Sequence, residues 1–194
     1  MKRISILPEA ALVCLLALAS MTANADANYQ RAVQAFRGGN HAEAFHSLSV
    51  LADDGHAKAQ HLLASMYMRG QGAPKDALKA AYWYRQAAEQ DNPRSQLVLG
   101  ILHLQGDALL KDPALSFYWL RRAATSGLAK AQDRLGSLYA LGIGTRKDLA
   151  QAYLWYSKAE KSGFKLAGRH KRTIIKKMSN EELDKARNLL NDHP

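Results

Sequence analysis

The chain has 194 residues, with 27 Lys or Arg against 17 Asp or Glu, which gives a formal net charge of +10 at neutral pH. This basic surplus favours acidic partners, such as an acidic protein, an anionic polymer or lipid head groups. The single cysteine excludes a disulfide framework, and 169 residues after a predicted leader suit one domain of ordinary size.

Residues 1–25 have the three parts of a secretory signal peptide. A positive start at residues 1–3 is followed by an apolar run at 10–19 and by the small-x-small pattern of Ala23 and Ala25. Since spanning a bilayer takes about 20 apolar residues, this run predicts a leader rather than an anchor. We expect cleavage after Ala25, and therefore a periplasmic or secreted protein with no transmembrane span after signal removal.

The only cysteine, Cys14, lies inside this predicted signal. A lipoprotein signal would be cut before it, but the preceding Val13 is bulkier than the residue usually found there, and the apolar run continues past Cys14. The predicted mature chain therefore has no thiolate for metal binding or nucleophilic attack.

Residues 26–58 are predicted to form an N-terminal helix pair joined at Gly38 and Gly39, and this pair resembles a tetratricopeptide-like unit. Asn40 stands 36 residues before Asp76, and both side chains suit the cap position at the start of a helix.

The next part of the chain repeats with a period of 36 residues. Five positions recur in one register: Leu63, Leu99 and Leu135; Gly70, Gly106 and Gly142; Asp76, Asp112 and Asp148; Trp83, Trp119 and Trp155; Ala87, Ala123 and Ala159. A period of this length predicts a solenoid, in which each unit buries its apolar face against its neighbours. Such proteins usually present an extended surface to a partner.

Each unit is predicted to be a pair of antiparallel helices. Apolar residues at helical spacing end at Gly142, which suits a left-handed helix end, and Asp148 then offers a cap for a second helix. Small residues such as Gly136 and Ala159 allow the two helices to approach closely, with the tryptophans filling the gaps between layers. The fold class that follows is all-α, an α/α solenoid.

These positions resemble the Sel-one-like repeat, a relative of the tetratricopeptide repeat. The resemblance is carried by runs such as Ala131-Gln132, Leu135-Gly136, Gly142-Ile143-Gly144 and Trp155-Tyr156, and it frames units at residues 59–94, 95–130 and 131–166. It implies a right-handed, tetratricopeptide-like superhelix used as an adaptor or scaffold in bacterial envelopes. A cysteine-rich branch of the family is linked to penicillin binding and β-lactam hydrolysis, but it pairs cysteines that this predicted mature chain lacks.

The middle unit departs most from the pattern. His103 replaces a tyrosine, Ala108 a loop glycine, Ser116 an alanine and Leu120 a second tyrosine. We interpret these changes as drift, with His103 as an alternative contact site.

Residues 167–194 are predicted to form basic capping helices. Ser179 and Glu182 have the spacing of a capping box before a last helix, which we expect to close the stack. The same region concentrates charge in a candidate docking patch for an anionic partner: Lys165, Arg169, Lys171, Arg172, Lys176 and Lys177. The alternative is a solvated cap, since a terminal unit needs one polar face.

No catalytic, cofactor-binding or metal site is predicted. His41 and His46 are five residues apart, as are His56 and His61, which does not align ligands on one helix face. The loop glycines lack the setting of a phosphate-binding loop, and the serines at 65, 137 and 157 show no histidine–carboxylate partnership in the sequence. The tyrosines beside the tryptophans are expected to be mostly core, with any exposed ones available to a peptide or glycan.

The sequence therefore predicts a non-enzymatic, exported scaffold that binds a protein or peptide partner on its concave face, and the basic charge favours an acidic partner. Two alternatives stay open: a module that binds an anionic glycan or peptidoglycan, and an envelope hydrolase of the β-lactamase-like branch. Nucleic acid is not expected, because an exported protein rarely meets it.

Overall fold

The computed structural model describes residues 9–106 and 108–192, with side chains from residue 23 onward except at 107. Over these residues it contains ten helices and no strand, which confirms the prediction of an all-α solenoid. The helices are α1 (Glu9–Arg37), α2 (His41–Asp53), α3 (Ala57–Arg69), α4 (Ala77–Glu89), α5 (Pro93–Gln105), α6 (Pro113–Thr125), α7 (Ala129–Leu141), α8 (Leu149–Lys161), α9 (Lys165–Ile175) and α10 (Asn180–Asp192).

The predicted signal peptide lies only partly within the described residues. Residues 1–8 are outside them, and residues 9–25 form the start of α1, which continues without interruption to Arg37. None of the helices described combines the length and apolar character needed to cross a bilayer. Cleavage after Ala25 stays a prediction.

The interior is a row of apolar clusters, each shared by helices that follow one another in the chain. Every helix from α1 to α9 packs mainly against its neighbours in sequence. Leu63, Leu99 and Leu135, at equivalent positions 36 residues apart, are each at most 1 % exposed and lie in successive clusters. A core of this kind grows by one layer per unit, as expected for a solenoid.

Helix ends follow the chemistry of the repeated residues. The Asp76 carboxylate accepts a hydrogen bond from the Lys79 amide at 2.9 Å, and Asp148 accepts one from the Gln151 amide at 2.9 Å. Asp112 accepts from two amides at the start of α6. Gly142 ends α7 with φ of 72°, a left-handed conformation that costs a residue with a side chain more than it costs glycine.

Glycine also sets how closely the helices of a pair approach. A β-carbon at Gly100 would lie 2.5 Å from the Leu120 side chain, and one at Gly136 would lie 2.8 Å from the Tyr156 ring. The first and second helices of these units are therefore packed at a distance that leaves no room for a side chain there.

The C-terminal helices are arranged differently from the repeated helix pairs. Helix α9 occupies the next first-helix position, but α10 does not extend the row, because it turns back and packs against α8. Ala186 of α10 is fully buried. The predicted capping box is confirmed, since the Ser179 amide donates to Glu182 at 2.8 Å and the Glu182 amide donates to the Ser179 hydroxyl at 3.2 Å.

Candidate functional site

The positions that define the repeat lie mostly inside the protein. The repeated leucines and alanines are buried, Trp119 is 8 % exposed, and Trp83 and Trp155 are half-buried. The repeated glycines and aspartates lie at helix ends. These residues therefore hold the fold, and candidate binding residues are those that the repeat leaves exposed.

One such set lies on what we call the first-helix face, formed by the accessible side chains of α3, α5, α7 and α9. The second residue of three of these helices is an exposed cation: Lys58, Arg94 and Lys130. Lys58 makes a long ion pair of 3.8 Å with the exposed Asp26, whereas Arg94 and Lys130 pair with no carboxylate in the described part of the chain. We call these three residues the cation column.

At the N-terminal end of this face, a polar cluster is built around His61. Its Nδ1 lies 2.8 Å from the hydroxyl of the fully buried Ser95, and its ring packs against Tyr84. Burial, with a smaller effect from the Arg94 charge, lowers the pKa of His61 to about 4. The imidazole is therefore neutral at physiological pH. We call His61, Ser65, Tyr84 and Ser95 the N-terminal polar cluster.

A second polar cluster lies two units further along the same face. His170 Nδ1 is 2.7 Å from a carboxylate oxygen of Asp133, which is only 4 % exposed, and Tyr156 donates a hydrogen bond to the Ser137 hydroxyl at 3.1 Å. Burial raises the pKa of Tyr156, so its hydroxyl stays a donor. We call Asp133, Ser137, Tyr156 and His170 the C-terminal polar cluster.

The middle unit places apolar side chains where its neighbours have polar ones. Leu97, Ile101 and Leu120 stand at the positions of His61, Ser65 and Tyr84. His103 is 5 % exposed, with its Nδ1 3.3 Å from the Leu110 carbonyl oxygen, so the alternative that it is a contact site is wrong. It holds the loop before α6.

The predicted basic patch is largely accessible. Lys171 is the exception, because its ammonium group pairs with Glu160 and lies 5.7 Å from the centre of the Tyr153 ring. The other five lysines and arginines of the patch are exposed on α9 and just after it. The patch continues the positive charge of the first-helix face toward the C-terminus.

The tyrosines beside the tryptophans differ in exposure. Tyr84 and Tyr156 are buried, as expected, whereas Tyr82 is 55 % and Tyr118 is 42 % exposed on the second helices. Among the described residues, no three histidine, cysteine or acidic side chains are grouped closely enough to hold a metal ion.

Sequence reasoning missed the Asp133–His170 pair. The two residues are 37 positions apart, one more than the period, and neither belongs to the repeated set. One signal in the sequence could have revealed the pair. Asp133 stands at the position of Leu97 in the preceding unit, and a carboxylate at a buried, apolar position needs a hydrogen-bonding or charged partner.

The comparisons with known proteins agree with this architecture. The family model described as Sel1 repeat matches residues 57–92, 93–128 and 129–164, which is more than half of the chain. These frames begin two residues before the units predicted from sequence, at the starts of α3, α5 and α7. A comparison with curated proteins finds no significant match.

Two solved structures are similar. A Sel1 repeat protein from Oxalobacter formigenes shares 30 % identity with a TM-score of 0.69, over 71 % of this chain and 57 % of that one. The antigen c5321 of uropathogenic Escherichia coli, described as a protective antigen with an SLR fold, shares 25 % identity with a TM-score of 0.58, over 91 % of this chain and 46 % of its own. The chain thus spans about half the length of these relatives. With three matched units and this likeness, the chain belongs to the Sel1 repeat family.

Proposed function

We propose that this protein is an exported scaffold that binds an acidic segment of another protein along its first-helix face. Sel1 repeats generally mediate protein interactions and generally serve as non-catalytic scaffolds. The observation that carries the finer proposal is the cation column, in which Lys58, Arg94 and Lys130 are the second residues of the first helices of three successive units. Aligned and largely unpaired cations attract a partner of opposite charge and speed encounter.

The same face also offers apolar area. Leu62 and Val98 follow the first two column cations by one helical turn, and Ile101 lies one turn further along α5; all three are half-buried. An extended peptide could place apolar side chains on these residues while its acidic groups meet the cations. Charge then sets the orientation of the peptide, and apolar contact supplies most of the affinity.

Photo-crosslinking in native cells would test this proposal. A photoreactive amino acid at Val98 is expected to capture a protein, and replacing Arg94, Lys130 and the exposed Arg134 by glutamate should abolish the capture. The matched control places the same group at the exposed Thr125, at the end of a second helix. Equal capture from both positions, or capture that survives the charge reversal, would contradict the proposal.

Export is part of the proposal and rests on the pattern of residues 1–25. Amino-terminal sequencing of protein recovered from the envelope or the medium should give Asp26 as the first residue. An intact amino terminus in the cytoplasmic fraction would contradict it.

The cation column also supports a second candidate, a module for an anionic glycan. A polyanion would bind through many phosphate-like or carboxylate contacts and little apolar area, so its binding should disappear with added salt. Retention on immobilised anionic polysaccharide in dilute buffer, with release at about 0.5 M salt, would favour the glycan over the peptide.

The Asp133–His170 pair supports a third candidate, a hydrolase. Asp133 orients the histidine through Nδ1, an arrangement that general bases use. The neighbouring Ser137 hydroxyl donates its hydrogen bond to the Asp133 carbonyl oxygen at 3.1 Å, rather than to His170, and accepts a hydrogen bond from Tyr156. Turnover of a chromogenic β-lactam, lost on His170→Ala, would favour this candidate over a scaffold.

A further inference from the structure

The outer sides of the second helices differ from one unit to the next. On α4, Leu78 is 71 % and Tyr82 is 55 % exposed, and on α6, Leu115 is 41 % and Tyr118 is 42 % exposed. Leu78 also shares a shallow depression with Leu109 and Leu110 of the loop before α6. We call Leu78, Tyr82, Leu115 and Tyr118 the outer strip. Along the outer strip, large apolar side chains of two neighbouring units are exposed to solvent.

In the third unit the positions equivalent to Leu78 and Tyr82 are covered. Ala150 and Leu154 stand 72 residues after Leu78 and Tyr82, and they are 1 % and 4 % exposed. Helix α10 packs against α8 there, with Ala186 fully buried. Lys185 donates to Asp148 at 2.8 Å. Burial raises the pKa of Asp148, but the Lys185 ammonium group and the backbone amides of α8 together hold it below its usual range. The molecule therefore shows what occupies this position: an amphipathic helix.

The first two units also differ from the third in the charge beside these positions. Arg85 and Arg121 stand where the third unit has Ser157, and both are exposed. Arg121 lies over the Phe117 ring, and neither arginine is within ion-pair distance of a carboxylate among the residues described. Each arginine follows a strip tyrosine by three residues, which places it one helical turn away on the same side of its helix, so a helix lying along the outer strip would pass close to both. It would need acidic residues beside its apolar stripe.

We propose that the outer strip is a docking site for an acidic amphipathic helix of a partner protein, seated as α10 is seated on α8. The strip lies on the second helices, so this inference does not rest on the function proposed for the first-helix face. Helix α10 is itself of the required type, with Glu181, Glu182 and Asp184 in its first turns and an apolar stripe behind them.

A peptide with the sequence of residues 179–192 is the probe. A helix this short is marginal in water, so a hydrocarbon staple joins the exposed positions 187 and 191. Fluorescence anisotropy of the labelled peptide is expected to show saturable binding to the whole protein. Tyr82→Ser with Tyr118→Ser should weaken this binding about tenfold, since both apolar anchors are lost. Arg85→Ser with Arg121→Ser should weaken it by about threefold to tenfold and reduce its salt dependence.

Leu141→Ser is the matched control, because Leu141 is a 68 % exposed leucine at the end of a first helix. It should leave the peptide affinity unchanged. The proposal would be overturned if the peptide did not bind. It would also be overturned if binding survived the loss of both tyrosines, which is the result expected if the peptide only displaced α10 from α8. Sedimentation of the parent as a dimer that the tyrosine variant dissociates would overturn it too, because the occupant would then be a second copy of this chain.

Discussion

The middle unit and the two units beside it share one backbone plan but have different interiors. Each flanking unit is joined to the first helix that follows it by a hydrogen bond, between His61 and Ser95 in one and between Asp133 and His170 in the other. The middle unit fills the corresponding space with Leu97 and Leu120. The difference shows that the repeated residues set the geometry, while the residues between them are free to make a unit polar or apolar.

The polar and apolar interiors also place different requirements on the residues that form them. An apolar layer tolerates imperfect partners, whereas each buried polar group must be matched by another or it destabilises the fold. The polar clusters therefore depend on pairs of residues from consecutive units, and the middle layer depends on the volume it fills. Four predictions test this contrast.

The largest effect is expected for Trp119→Ala. This tryptophan is the most buried of the three, so its removal should leave a cavity and lower the free energy of unfolding by about 3–5 kcal/mol. Trp83→Ala and Trp155→Ala should cost less, because both side chains are half-buried. Urea unfolding of the three variants measures the order, and equal losses would show that burial does not distinguish the middle layer.

The second-largest loss of stability is expected for His170→Ala. The substitution leaves the Asp133 carboxylate buried without its partner, at a cost of about 2–3 kcal/mol after allowance for the partial exposure of His170. His170→Asn keeps a donor near Nδ1 and should recover part of the loss. Adding Asp133→Leu, the residue of the middle unit, should also recover part of it, because no buried charge then remains. A double variant less stable than His170→Ala would contradict this account.

The N-terminal polar cluster predicts a pH dependence. Unfolded His61 binds a proton near its ordinary pKa of 6.5, whereas the folded protein holds that pKa at about 4, so acid favours the unfolded state between these values. Stability is present above the unfolded pKa and should fall by about 2 kcal/mol on reaching about pH 5.

The matched variant combines His61→Leu with Ser95→Ala, the residues found at equivalent positions 97 and 131. Its urea midpoint should fall less between neutral pH and about pH 5 than that of the parent. Parallel pH profiles for the two proteins would show that His61 does not titrate as its burial requires.

The smallest effect is expected for Ser116→Ala. The Ser116 hydroxyl is buried with no hydrogen-bond partner, and both flanking units have alanine at this position, Ala80 and Ala152. Removing the hydroxyl should raise the free energy of unfolding by about 1 kcal/mol. Thermal unfolding checks the direction, and a destabilised variant would reveal a partner for that hydroxyl.

Sequence alone was sufficient for the repeat. A 36-residue period with Asp148 and Gly142 at helix ends predicts paired helices, because capping and left-handed geometry are local properties of the chain. It was also sufficient for the capping box of Ser179 and Glu182 and for the positive charge of the C-terminal region.

Three features were decided only by the tertiary structure: the pairing of Asp133 with His170, the burial of His103, and the return of α10 onto α8. Each depends on which surfaces meet when units stack, and a periodic pattern specifies the spacing of units but not the contacts of the residues between its positions. The chain thus encodes its layers locally, whereas the exposure of the outer strip and the neutral state of His61 arise only after the layers come together. The physical reason is that the burial of a side chain and its hydrogen-bond partners depend on how the layers pack, which the 36-residue spacing does not specify.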